Sequence, residues 1–196
     1  MNVQPIRLVG GRAMLVPMET AHIAELFAAG DHPEIWPYMS LRVERYEDME
    51  RLVRDALAAR DEGKELPFTI IDRDEDRIVG STRFLDIDRV HRNLEIGWTW
   101  LSPSVWRTRI NTECKYLLLR HSFETLDALR VQLKTDARNL RSRQAIDRLG
   151  AAKEGVLRRH RILPDGYVRD SVYYSIVAEE WPAVRERLEE RLFVRS

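Results

Sequence analysis

At 196 residues and 44% hydrophobic content, the chain is long enough for one domain with a sizeable core and has the composition of an ordinary soluble globular protein. Its 32 basic and 32 acidic residues cancel, which excludes a global field aimed at nucleic acid or an anionic membrane; any basic site must be local. Cys114 is the sole cysteine, so no internal disulfide forms, and no run is apolar enough for a signal peptide or a membrane span, which together predict a cytoplasmic protein.

In chain order, AMLVPM (13–18) reads as a short strand. Thr20 can cap a helix with His22, Ile23, Leu26 and Phe27 on its apolar stripe. DHPEIWPYMS follows as a loop with two prolines and the side chains of Trp36, Tyr38 and Met39. Residues 46–62 form a charged helix with Met49, Leu52, Val53, Ala56 and Leu57 inward, ended by Gly63. LPFTIID (66–72), RIVGSTRFLDID (77–88) and RNLEIGWTWL (92–101) are strands, the last two antiparallel neighbours. Period-two alternation puts Leu94, Ile96, Trp98 and Trp100 on one face and Glu95, Gly97 and Thr99 on the other.

A loop, PSVWRTRI, leads into a helix capped by Asn111 or Thr112 and running to about Leu126. RVQLKTD (130–136) is the next strand, so residues 92–136 read strand, loop, helix, strand; that order implies a crossover and a parallel pair. Asn139 opens an amphipathic helix stopped by Gly150. A hairpin turns at P-D-G (164–166), and a last helix from about Glu179 carries Trp181, Val184, Leu188 and Leu192 on its stripe. The sum is a mixed α/β sheet, mostly antiparallel, of six to seven strands, with one central parallel pair and helices on both faces.

Ligands of open α/β sheets sit past the carboxyl ends of parallel strands, where helix N-termini converge. Here the loop that fills this place holds Arg107 and Arg109 just ahead of a helix, which suits an anion such as a phosphate or pyrophosphate. Two solvated surface arginines are the alternative.

EIGWTWL, W-R-T-R-I-N-T-E, TDARNLRSRQAIDRLGA, EGVLRRHRILPDGYVRDSVYYSI and EEWP together resemble the GNAT superfamily of acetyl-CoA-dependent N-acetyltransferases, in particular the RimJ/RimL-like branch. The likeness spans most of the chain and is vaguer before residue 66. It implies a single domain over 1–196: acceptor-side elements in 1–65, an acetyl-CoA core in 66–150, and a hairpin and helix in 151–196. It implies acetyl-CoA between strands 92–101 and 130–136, which must splay to admit it. The pantetheine would bond Trp100, Leu101 and Asn139. The pyrophosphate would rest on Trp106, Arg107, Thr108, Arg109, Ile110, Asn111 and Thr112. Arg109 stands where the family's loop has glycine. The arginine can still donate its N–H if its φ is negative, whereas glycine permits positive φ and close approach.

The implied reaction is direct attack of a primary amine, a protein N-terminus or a small molecule, on the thioester. The amine's proton needs a base, and the leaving thiolate needs an acid or a hydrogen bond. Ser142, from N-L-R-S (139–142), is the candidate at the thiolate, or else a surface helix serine. Glu95 is the candidate base, or else half of a salt bridge. Trp36, Tyr38 and Trp98 are candidate acceptor contacts, with stapling of the loop to the core as the other reading of Trp36 and Tyr38. Cys114, in a first helical turn, is either a nucleophile or a buried small residue. No metal is expected, because no histidines stand at ligand spacing, and neither nucleic acid nor membrane is an expected partner; the protein is a monomer or a homodimer. The alternative function is a non-catalytic CoA- or phosphometabolite-binding module on the same fold.

Overall fold

A computed structural model describes residues 1–193. Eight strands form one sheet: β1 (Leu8–Val9), β2 (Ala13–Pro17), β3 (Leu66–Asp72), β4 (Arg77–Asp88), β5 (Asn93–Leu101), β6 (Arg130–Asp136), β7 (Ala152–Ile162) and β8 (Val168–Val177). They lie in the order β1-β2-β3-β4-β5-β6-β8-β7. All neighbours are antiparallel except β5 and β6, which are parallel. The count exceeds the expected six to seven because β1, two residues long, is too short to leave a periodic signal.

The helices are α1 (Ile23–Gly30), α2 (Tyr46–Asp61), α3 (Ile110–Arg120), α4 (Leu140–Leu149) and α5 (Trp181–Phe193). α3 continues through one π turn at His121–Thr125, which explains why its apolar pattern reads as helix to Leu126. Its N-cap is Arg109, so Asn111 and Thr112 lie inside the first turn instead of capping it. Asn139 caps α4, its Oδ1 accepting from Ser142 N at 3.0 Å, and Gly150 ends that helix at φ 91°, a conformation glycine adopts without strain.

Two cores sandwich the sheet. Ile110, Leu117 and Leu118 of α3 and Leu188 of α5 pack on Leu94, Ile96, Val131 and Leu133. On the other face Leu26 of α1 and Met49 and Leu52 of α2 pack with Met18, Trp36 and Trp100. Each such fully buried aliphatic side chain contributes roughly 1.5–3 kcal/mol.

β5 departs from simple alternation. Its register to β4 jumps from Gly97↔Arg83 to Trp100↔Ser81, so β5 holds one extra residue, and Trp98 takes a positive φ of 50°. This is a β-bulge, which bends the strand that carries it. Trp100 therefore falls in the second core while Leu94 and Ile96 stay in the first, and the expected common face of Leu94, Ile96, Trp98 and Trp100 is broken. Gly80 sits opposite, where a Cβ would lie 2.1 Å from the Trp100 carbonyl. Parallel pairing of β5 to β6 covers only Asn93↔Arg130, Leu94↔Val131 and Glu95↔Gln132. Past Glu95, just before the bulge, the two strands part.

Candidate active site

Where β5 and β6 diverge there is a cleft of about 1020 Å³. It is lined by the loop before α3, by α4, by Tyr38 and Met39 from the loop between α1 and α2, and by Arg169 of β8.

The loop before α3 is built for an anion. Among the described residues, the N–H groups of Arg107, Arg109, Asn111 and Thr112 have no protein acceptor. That of Ile110 has only the Thr108 hydroxyl at 3.3 Å. Free donors at the positive end of the α3 dipole favour negative charge. The positive φ in this loop belongs to Arg107, at 62°; Arg109 has φ −72° and needs no glycine. The Arg109 side chain leaves the loop, its Nη1 donating to Leu192 O at 3.0 Å, and Ile110 is buried in the core, so neither side chain lines the cleft. Arg107 and Thr108 line the cleft. A cation that the sequence reading missed, Arg141 of α4, lies 3.8 Å above the Trp106 ring and also lines it. Trp106 Nε1 donates to Leu101 O at 2.8 Å, so one lone pair of that carbonyl is taken within the protein.

Ser142 lines the cleft from the first turn of α4, beside Asn139. Glu95 is 1% exposed; its Oε2 accepts from Gln132 Nε2 at 2.7 Å and from Lys134 Nζ at 2.9 Å. Burial raises its carboxyl above the usual range, outweighing the opposing pull of Lys134 and Gln132. Trp98 lines the same wall, its ring 4.7 Å from the Arg83 guanidinium, which Glu65 pairs at 2.8 Å. Tyr38 also lines the cleft. Trp36 does not: it is 2% exposed, its Nε1 donates to Gly30 O at 2.9 Å, and its ring packs 5.3 Å from Trp100. The reading of Trp36 as an acceptor contact is corrected to a staple between loop and core.

With this geometry in view, a sequence profile described as Acetyltransferase (GNAT) domain matches residues 12–152. The chain belongs to the GNAT acetyltransferases. A crystal structure from T. thermophilus with a provisional acetyltransferase name is 38% identical, has a TM-score of 0.89, and shares 98% of this chain and 100% of its own. The ribosomal-protein-serine acetyltransferase of Escherichia coli is 26% identical over 80% of this chain and 88% of its own. Mycobacterium smegmatis RimJ, solved with CoA-disulfide, shares the fold at 23% identity and a TM-score of 0.80, over 96% and 93% of the two chains. The GNAT chain described here is thus an acetyl-CoA-dependent acetyltransferase. The splayed β5/β6 pair and the free amides before α3 suit that cosubstrate.

Two expectations of this GNAT enzyme follow directly. Arg109→Gly should leave the CoA Kd within about threefold, because neither its φ nor its side chain serves the cradle. It should cost roughly 1 kcal/mol in urea unfolding, from lost packing on α5 and added chain freedom. Calorimetry and denaturation read the two separately.

The second concerns Lys115 of α3, another residue missed by the sequence reading. It is 7% exposed, lines the cleft, and donates to Thr99 Oγ1 at 2.6 Å. Desolvation pushes its ammonium down from the ordinary 10.5 to about 8. The charged form is thus disfavoured in the fold, so from pH 8 to 10.5 the unfolded chain binds more protons and stability rises with pH. Lys115→Met should stabilise the unliganded protein by about 2–3 kcal/mol at pH 7, with the gain fading towards pH 10.5. Paired urea titrations at pH 7 and 10 check it. Cys114, next to it, is fully buried and its thiol is pushed up to about 12 by desolvation. No thiolate is at hand, which leaves the buried-residue reading of Cys114.

Proposed function

We propose that the enzyme transfers acetyl to a primary amine by direct attack in a ternary complex. The observation that carries this reading is the single cleft that joins a cradle of free amides to a buried, proton-hungry carboxylate, with no thiolate between them. Acetyl-CoA supplies the activated acetyl group. The amides of Arg107, Arg109, Asn111 and Thr112, with Arg107 and Arg141 beside them, would hold its pyrophosphate. Asn139 Oδ1 is spent on the helix cap, which leaves its Nδ2 to donate to the pantetheine. Glu95 takes the proton of the amine, and the Ser142 hydroxyl donates to the departing sulfur. Tyr38 and Trp98 bound the acceptor.

A CoA-release assay against a panel of N-terminal peptides, polyamines and amino-sugar amines tests the reading. Amine-dependent thiol release supports it. Tight CoA binding by calorimetry without release against any amine would favour the binding-module alternative. Competition by ATP or NAD as strong as that by CoA would point to a phosphometabolite site.

A further inference from the structure

The strand VRDSVYYSI carries no part in the reaction drawn above, yet its one arginine is a buried and largely unpaired cation in the cleft wall. Arg169 is 8% exposed. Its Nε has no partner, and its Nη1 makes one long bond, 3.4 Å, to the Tyr38 carbonyl. A guanidinium has five donors, so most of this one is idle. The acidic groups around it are already held. Arg138 grips Asp136 through Nε at 3.1 Å and Nη2 at 2.9 Å, and Lys134 and Gln132 hold Glu95. The other buried arginine, Arg83, has Glu65. Among the described residues no carboxylate lies within salt-bridge distance of Arg169.

An unpaired buried charge is costly, and a protein keeps one where a partner arrives to complete it. Arg169 lines the cleft beside the loop that supplies Tyr38, and its Nη2 is bound to no protein acceptor among the described residues. A planar fork of N–H groups fits the two oxygens of a carboxylate. We infer that the acceptor is an amine that carries its own carboxylate, bound by Arg169 while its amino group faces Glu95. This rests on the acetyl-transfer reading for the placement of the amine, and it narrows the acceptor to amino acids or short acidic peptides. Polyamines and neutral peptide N-termini fall outside it.

The test reads binding, so that it does not depend on turnover. Product-like ligands are titrated in the presence of CoA by ligand-observed NMR: N-acetyl amino acids, their C-terminal carboxamides, and N-acetylated tripeptide amides with or without Asp or Glu at the first two positions. The native enzyme should bind carboxylate forms at least tenfold more tightly than their neutral partners. The amino-acid pair and the tripeptide pair tell whether the carboxylate belongs to a free amino acid or to a side chain. Arg169→Gln should abolish the preference and leave CoA affinity unchanged. Arg169→Lys, which keeps the charge without the fork, should retain part of it, guarding against a mere folding defect. Equal binding of charged and neutral forms, no binding of either, a preference that survives Arg169→Gln, or weakened CoA binding in that variant would each overturn the inference. A failed CoA-release panel with intact carboxylate discrimination would instead count against acetyl transfer alone.

Discussion

Glu95→Gln should lower kcat/KM for acetyl transfer by about 10²–10⁴-fold and erase the acid limb of its pH profile. The glutamate is buried against the cleft wall and takes hydrogen bonds from Gln132 and Lys134, so a glutamine can keep its position without accepting a proton. Its carboxyl is raised because burial outweighs those partners. The proton-accepting form is lost as pH falls through that raised value, so the acid limb should stand above the usual carboxylate range. Lys134→Met separates this from a plain ion pair. Removing the cation that holds the pKa down should move the acid limb to still higher pH while the plateau rate stays within about threefold. If Glu95 serves only as Lys134's partner, both variants will lose activity alike, and the limb will persist in Glu95→Gln.

The second large effect is on stability. Glu113→Ala should cost about 3–5 kcal/mol, a large share of the 5–15 kcal/mol that holds a typical domain together. Glu113 Oε1 accepts from Gly11 N at 2.6 Å, and Oε2 from Arg12 N at 3.0 Å and Ala13 N at 2.7 Å. One carboxylate on α3 thus fastens the turn between β1 and β2 to the helix. The variant strands three N–H groups in a place where a Cβ on Gly10 would already lie 2.6 Å from this side chain. Glu113→Gln, with one acceptor oxygen and a misplaced NH₂, should fall between. Urea unfolding measures both, and a loss below 1 kcal/mol for Glu113→Ala would show that water satisfies the turn.

The elements that the sequence disclosed best are those whose packing follows a simple period. α4 between Asn139 and Gly150, α5 with Trp181, Val184, Leu188 and Leu192 inward, and the hairpin at 164–166 all form as expected. The splay of β5 from β6 was legible through resemblance, whereas its local device was not. This bulge puts one residue at positive φ, a place glycine usually announces, and here a tryptophan takes the role. In the loop before α3 the same confusion fell on arginines: Arg109, in glycine's place, is relaxed, and Arg107 bears the positive φ. Arg141, Lys115 and Arg169 escaped notice because a cation in a run of charges looks solvated. Only Lys115 left a trace, since it stands in ECKYLLL, a helix whose following residues are buried. The burial of Arg169 depends on a strand pairing and a loop some 130 residues away in sequence, as its bond to Tyr38 shows.

The extra residue in β5 also acts as a phase shift. Before it the strand feeds odd-numbered Glu95 to the cleft and even-numbered side chains to the core under α3; after it the parity is reversed, and Leu101 joins that core while Trp100 crosses to the other. The active site sits at the node between the two phases. Its shape is therefore governed by residue count as much as by residue identity. Substitutions along β5 retune the cleft, but losing one residue near Trp98 would bring the strand back into step, exchange the side chains the two cores receive, and draw shut the gap on which the chemistry depends.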